Sequence, residues 1–296
     1  INNDVSDIFK DNNGVIWFCT HGGISILKND EWESFSSTPD GENIEWVSKG
    51  IQDNNGNYWF TTVNGIYMYD GVDWGIYNGG GWGQDILQDS DNNIWFATWN
   101  YLLKFDGETW TQYNESDGFL SEYVEGLYQD ANKNIWIGTR AGISKWDGNE
   151  FTHYPINDLS FSGTVINSFI EDGNGTLYAT TDAGILIFQD DNWILWQDAP
   201  GLWYFDSYKD KNDILWFASI DGLYKYDETT FSSFVVEDGL ISNIIQGIYR
   251  EEDTGVFWFA TANGVTKLTP DVVAEVSNTK STNSYSIQIN SEGITK

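Results

Sequence analysis

Four tryptophans in this sequence stand outside any repeated pattern: Trp46, Trp82, Trp99 and Trp203. Near them in the chain lie Asn100, Tyr101, Tyr123 and Tyr204, and the titratable or charged His21, Arg140 and Asp182. Aromatic faces with amide and charged groups close by suit stacking on sugar rings or on peptide side chains. For catalysis, only His21, Asp182 and Arg140 supply a base and charge stabilisers, and no motif joins them beyond a shared loop position. Arg140, one of two arginines in the chain, reads either as the partner of a rim acid such as Asp182 or as the holder of a ligand carboxylate or sulfate. His21 reads first as a hydrogen-bonded polar residue. With 2 His and 1 Cys, a His/Cys metal centre is excluded.

These residues are conspicuous because almost everything else repeats. An aromatic anchor recurs seven times, at Trp17, Trp59, Trp95, Trp136, Tyr178, Trp216 and Trp258. Six residues before it stands an acid: Asp11, Asp53, Asp89, Asp130, Asp172, Asp210 and Glu252. Six residues after it comes a glycine in every copy but the third, where Tyr101 takes the place. An aromatic-x-x-aromatic pair begins fifteen residues after the anchor, from Trp32/Phe35 to Phe231/Phe234, and fades to Val273 and Val276 in the last copy. Units of about 40 residues with several short strands each are propeller blades.

Each unit reads as four strands. Strand A precedes the acid; a turn of Asp, Asn and Gly follows, residues that tolerate left-handed backbone and bond to it. Strand B is the anchor phrase, rich in aromatic and β-branched residues and so a buried central strand. The glycine opens strand C, and strand D carries the aromatic pair. The expected fold is therefore all-β, a seven-bladed β-propeller of four-stranded antiparallel blades over residues 1–276, with 277–296 a polar tail or linker. Val272 to Val276 is expected to complete blade seven, and Tyr285 to Ile289 reads as a further strand in the tail. The turns, such as Asp89-Ser90-Asp91-Asn92-Asn93, also resemble the start of a calcium loop, but the distal Glu is missing and hairpin chemistry explains their recurrence. No cofactor is expected.

Trp46, Trp82, Trp203, Tyr123 and Tyr204 fall in D-to-A connections, and Trp99 in a B-to-C loop. In a propeller both loop sets emerge on one face, around the mouth of the central channel. The position four residues after the anchor varies from blade to blade: His21, Val63, Trp99, Arg140, Asp182, Ile220 and Ala262. The third unit is the most altered, with Trp99-Asn100-Tyr101 beside a Gly-rich connection. The expected ligand-binding set is thus His21, Trp46, Trp82, Trp99, Asn100, Tyr101, Tyr123, Arg140, Asp182 and Trp203.

A formal charge of −31 excludes sequence-independent binding to nucleic acid or to an anionic membrane. No run of 18 apolar residues offers a membrane span. Cys19 is the single cysteine, so no intramolecular disulfide forms. Starting at Ile1 without an initiator Met, the chain reads as a mature or excised fragment.

The phrase NIWIGTRAGISKWDG, Asn134 to Gly148, resembles the two-component regulator propeller repeat, and all seven copies share the resemblance over residues 1 to about 276. It implies a periplasmic or extracellular ligand-sensing propeller of the kind carried by bacterial hybrid sensor kinases, commonly tied to polysaccharide use. The expected function is non-catalytic binding of a carbohydrate or small polar ligand on the aromatic face. A protein-interaction or structural propeller of a secreted surface assembly is the alternative, with a protein partner on that same face. The anchor phrase is also loosely similar to that of streptogramin lyases, which would make His21, Asp182 and Arg140 the catalytic candidates.

Overall fold

The alternation of aromatic strands and Asp/Asn/Gly turns produces six four-stranded antiparallel sheets and a seventh with three strands among the described residues. The computed structural model describes residues 2–77, 81–155, 163 and 165–269. The sheets are the blades of a seven-bladed β-propeller, as the repeat predicts. Blade 7 comprises Ile245–Arg250, Phe257–Thr261 and Gly264–Leu268. The strands expected at Val272 to Val276 and Tyr285 to Ile289 lie outside the described residues.

Strand A of blades 1 to 7 spans Val5–Lys10, Lys49–Gln52, Gly83–Gln88, Val124–Gln129, Ile166–Glu171, Tyr204–Lys209 and Ile245–Arg250. Each packs against strand A of the blade on either side, so the seven innermost strands ring a central channel. Blade 7 closes on blade 1 through a shared core in which Val5, Ile8 and Phe18 meet Val256, Trp258 and Ala260. Lys10 Nζ adds an ion pair to Glu251 Oε2 at 2.9 Å across that seam. Strand B is buried along its whole length in every blade, which accounts for its aromatic and β-branched composition.

The acid before each anchor has a structural role. Asp53 Oδ1 accepts the backbone N–H groups of Asn55 and Asn57, both at 2.9 Å, and its Oδ2 accepts the Trp59 indole at 2.9 Å. Asp11, Asp89 and Asp130 repeat that pattern. In blade 7 the role falls to Glu251, whose Oε1 takes the Trp258 indole at 2.8 Å, and not to Glu252 as the spacing suggests. The turn there is one residue longer, which moves the acid to the seventh position before the anchor.

The glycine opening strand C sits at φ +126° in blade 1, a region that side chains disfavour. A Cβ on Gly23 would lie 2.2 Å from the Phe35 carbonyl oxygen, whereas one on Gly184, at φ +138°, meets only Leu195 Cδ1 at 3.1 Å. Gly23→Ala should therefore cost about 3 kcal/mol or more, left-handed strain and overpacking together, and Gly184→Ala roughly half of that. Denaturant melts of the two variants check the order; equal losses would mean that φ alone governs the site.

Candidate functional site

The channel mouth is shaped by an irregularity repeated from blade to blade. In six blades strand A carries a β-bulge, leaving Ser6, Gln84, Glu125, Asn167, Phe205 or Gln246 without a partner in strand B. In blade 2 Ser48 takes the equivalent place, its N–H donating to the Thr61 carbonyl at 2.9 Å. A bulge re-aims the extra side chain. Here all seven of these residues line one cavity of about 220 Å³, together with His21, Lys49, Trp82 and Asp85.

One residue deeper along each strand A lies the throat of the channel, formed by Asp7, Lys49, Asp85, Gly126, Ser168, Asp206 and Gly247. Three carboxylates hold the ring together by accepting backbone N–H groups of the next blade: Asp7 from Gly50 at 3.0 Å, Asp85 from Leu127 at 2.8 Å, Asp206 from Ile248 at 3.0 Å. Lys49 Nζ stands 3.3 Å from Asp7 Oδ1 and 3.8 Å from Asp206 Oδ2. Burial works against its ammonium, but Asp206, Asp7 and Asp85 outweigh that and hold its pKa well above the usual lysine value. Burial pushes Asp85 up to about 6 despite the pull of Lys49, and raises Asp206 in the same way. Gly126 and Gly247 are small because a neighbouring backbone passes close: a Cβ would lie 2.3 Å from the Asn167 oxygen and 2.9 Å from the Ser6 oxygen.

Above the mouth runs the rim. The residue four after the anchor donates its N–H to the carbonyl of the residue leading into strand A of the same blade, as in His21 to Asp4, Trp99 to Trp82, Arg140 to Tyr123, Asp182 to Val165 and Ile220 to Trp203. Two loop sets are thereby stitched into one wall. Along it an unbroken arc crosses four blades. His21 stacks on Trp46 at 4.1 Å, Trp46 meets Trp82 edge-on at 5.8 Å, and Trp82 meets Trp99 at 4.7 Å. The Arg140 guanidinium then lies 4.9 Å from the Trp99 ring and 5.6 Å from Tyr123, within cation–π range. Trp46 holds a left-handed φ of +50°, a strained conformation for a bulky residue and one that gathers at functional sites.

Most of the expected set is placed on this rim. His21, Trp46, Trp82, Trp99, Tyr123 and Arg140 form the arc, and Asn100 is exposed beside it, its amide packed over Gly81. Arg140 Nε bonds Glu125 Oε1 at 2.6 Å, so the rim acid it pairs with is Glu125. Asp182, in blade 5, accepts the Val165 N–H at 3.2 Å. Trp203 is in blade 6, half exposed and tilted against Phe205 at 5.3 Å. Tyr101 turns inward instead, packing on the core between blades 2 and 3 while its carbonyl takes the Thr98 hydroxyl at 2.7 Å. The lyase candidates are each engaged locally: His21 with Asp4 at 2.9 Å, Arg140 with Glu125 and Asp182 with Val165. Of the cavity's lining only His21 and Trp82 belong to the expected set; the strand A residues of mouth and throat do not. Their signal is a pair of largely polar columns along strand A, eleven and ten residues before the anchor in blades 1 to 6 and one residue earlier in blade 7.

A β-propeller with a polar, aromatic-walled channel mouth defines the structural class, and three stretches of the chain match a family model of propeller repeats. The family model of that description, "Two component regulator propeller", matches residues 1–22, 78–100 and 118–141. No curated protein matches the chain. Among solved structures it is similar to the extracellular domain of a hybrid two-component system from B. thetaiotaomicron, at 18% identity and TM-score 0.78, covering 96% of this chain and 44% of that one. It is also similar to PorZ, a surface component of the type-IX secretion system of Porphyromonas gingivalis, at 16% identity and TM-score 0.75, covering 90% of this chain and 46% of that one. Virginiamycin B lyase from Staphylococcus aureus matches at 16% identity and TM-score 0.72, covering 90% and 96%. At these identities the likeness shows the fold alone. The chain spans less than half the length of the first two of these structures.

Proposed function

We propose that this propeller is a non-catalytic, extracytoplasmic ligand-binding domain of the sensor kind, taking a carbohydrate or small polar ligand at the channel mouth. The observation that carries the reading is the arc from His21 to Tyr123 standing over a cavity walled by six bulged strand A residues and Ser48. Ligand sites combine apolar or aromatic walls with a few placed polar groups. The cavity volume, about 220 Å³, is small against the roughly 300–1,000 Å³ of drug-sized sites, so it suits one ring of a ligand whose remainder lies along the rim. The match to the two-component regulator propeller model and the extracellular sensor domains of the same fold support the location and the role.

Intrinsic tryptophan fluorescence and thermal shift against an oligosaccharide panel, with and without calcium, test the reading. A saturable shift with one glycan class is expected, and Trp82→Ala and Trp99→Ala should each weaken binding at least about tenfold with melting little changed. Binding that survives both changes would put the site elsewhere. Calcium sensitivity would reopen the turn carboxylates as ligands.

One observation favours a protein partner as a second reading. Trp203, Ile220 and Ile244 are exposed together on the rim of blades 6 and 7. A partner would bury a broad patch including them, and Trp203→Glu would then abolish its capture.

A further inference from the structure

Charge divides the mouth and throat unevenly. Arg140 is tied to Glu125, and Lys49 lies between Asp7 and Asp206. Asp85 stands on the cavity wall, fixed by N–H donations from Ile86 at 2.9 Å and Leu127 at 2.8 Å. Among the described residues no cation comes within ion-pair distance of it. Two cations therefore face four carboxylates, Asp7, Asp85, Glu125 and Asp206, an excess of two negative charges in a partly enclosed space. Leading into the same strand A, Trp82 walls the cavity, and its contact Trp99 already holds a guanidinium against its ring face. Gln84, between Trp82 and Asp85 on that wall, has a buried side-chain Nε2 without an acceptor among the described residues.

Resting on the ligand-binding reading above, we infer that the mouth selects an ammonium-bearing sugar: the ring stacks against the Trp46–Trp82–Trp99 wall, its protonated amine faces Asp85, and a hydroxyl meets the Gln84 amide. The acidic sugars that Arg140 alone would attract are disfavoured, because that guanidinium is already paired and the residual charge is negative. Each element has its counterpart in the ligand. An unpaired carboxylate in reduced dielectric prefers a cation, an indole face prefers a C–H face or a cation, and a free amide N–H prefers an oxygen.

The test compares three tetrasaccharides at pH 7 by tryptophan fluorescence and calorimetry: glucosamine, N-acetylglucosamine and galacturonate oligomers. The glucosamine oligomer should bind at least about tenfold tighter than the acetylated one, and the galacturonate oligomer weakest of the three. Asp85→Asn should erase the preference, lowering the glucosamine oligomer's affinity at least about tenfold, to that of the acetylated one. Trp82→Ala, which keeps every carboxylate, should weaken both. Attraction to the surface of a −31 chain would survive both substitutions, and that result overturns the inference. Equal binding of the acetylated and free-amine oligomers, lost with Trp82, overturns the amine selection and leaves the ligand site standing. No binding of any of the three removes both.

Discussion

A Lys49→Met variant should lose about 2–4 kcal/mol of stability at pH 8 and recover part of it by pH 5. Lys49 is the single cation in the throat, and its removal leaves Asp7, Asp85 and Asp206 facing one another across the channel. Breaking a fully buried ion pair typically costs about 3–5 kcal/mol. The lower range applies because the Lys49 side chain, although surrounded by protein, keeps 28% of its surface open towards the channel, where water screens the charges. The sign of the pH effect follows from the acids. The folded pKa of Asp85, about 6, lies above its ordinary value of 3.8. Its contribution is full below pH 3.8 and is lost as the pH rises through about 6. Without Lys49 that penalty deepens, and protonation relieves more of it. Urea melts of both chains from pH 5 to 8 should show the gap between them narrowing in acid. A gap constant with pH would mean that Lys49 acts through its methylene packing and not its charge. In the wild type, Asp106 and Asp227 oppose the acid trend only at the low end: side-chain hydrogen bonds from Thr109 and Thr229 hold their pKa values down to about 2.

The second large effect belongs to the anchors. Trp95→Ala should cost about 3–5 kcal/mol, lowering the melting temperature by about 10 °C. Trp95 is 1% exposed, stacks on Tyr113 at 5.8 Å and gives its indole N–H to Asp89 Oδ2 at 2.8 Å. Trp95→Phe separates the two contributions. The Asp89 carboxylate keeps the backbone N–H groups of Asp91 and Asn93 and the Asn93 amide, so the lost indole bond leaves it satisfied. The Phe variant should therefore lose only about 1–2 kcal/mol. If Phe costs as much as Ala, the indole–carboxylate link, not the buried ring, holds the turn to the blade.

The fold was legible because packing and turn geometry repeat. Every blade needs a buried aromatic on strand B and an acid that ties the A–B turn to it, so two columns of residues announce seven copies. In blade 7 a single extra turn residue takes the acid out of the fixed spacing, although the chemistry passes intact to Glu251. The rim was legible too, since Trp46, Trp82 and Trp99 break the columns. The mouth was not. Strict alternation along a strand sends Ser6 and Asp7 to opposite faces. The bulge brings Ser6 round to the mouth, next to the throat formed by Asp7, and only the pairing register reveals it. Tyr101 shows the converse: at a glycine position in a loop rich in off-pattern residues it reads as part of the surface, yet it packs, half-buried, against the core between two blades.

The bulge also has a meaning for how such a chain diversifies. The anchors and turns that build a blade share no positions with the residues that line the mouth, and every blade contributes at least one side chain there from a backbone that is already fixed. Exchanging Ser6, Gln84, Asn167 or Gln246 alters one blade's share of the wall without touching an anchor or a turn. A sequence duplicated seven times thereby acquires an asymmetric pocket by independent single substitutions, and recognition evolves one blade at a time on a frame that does not have to change with it.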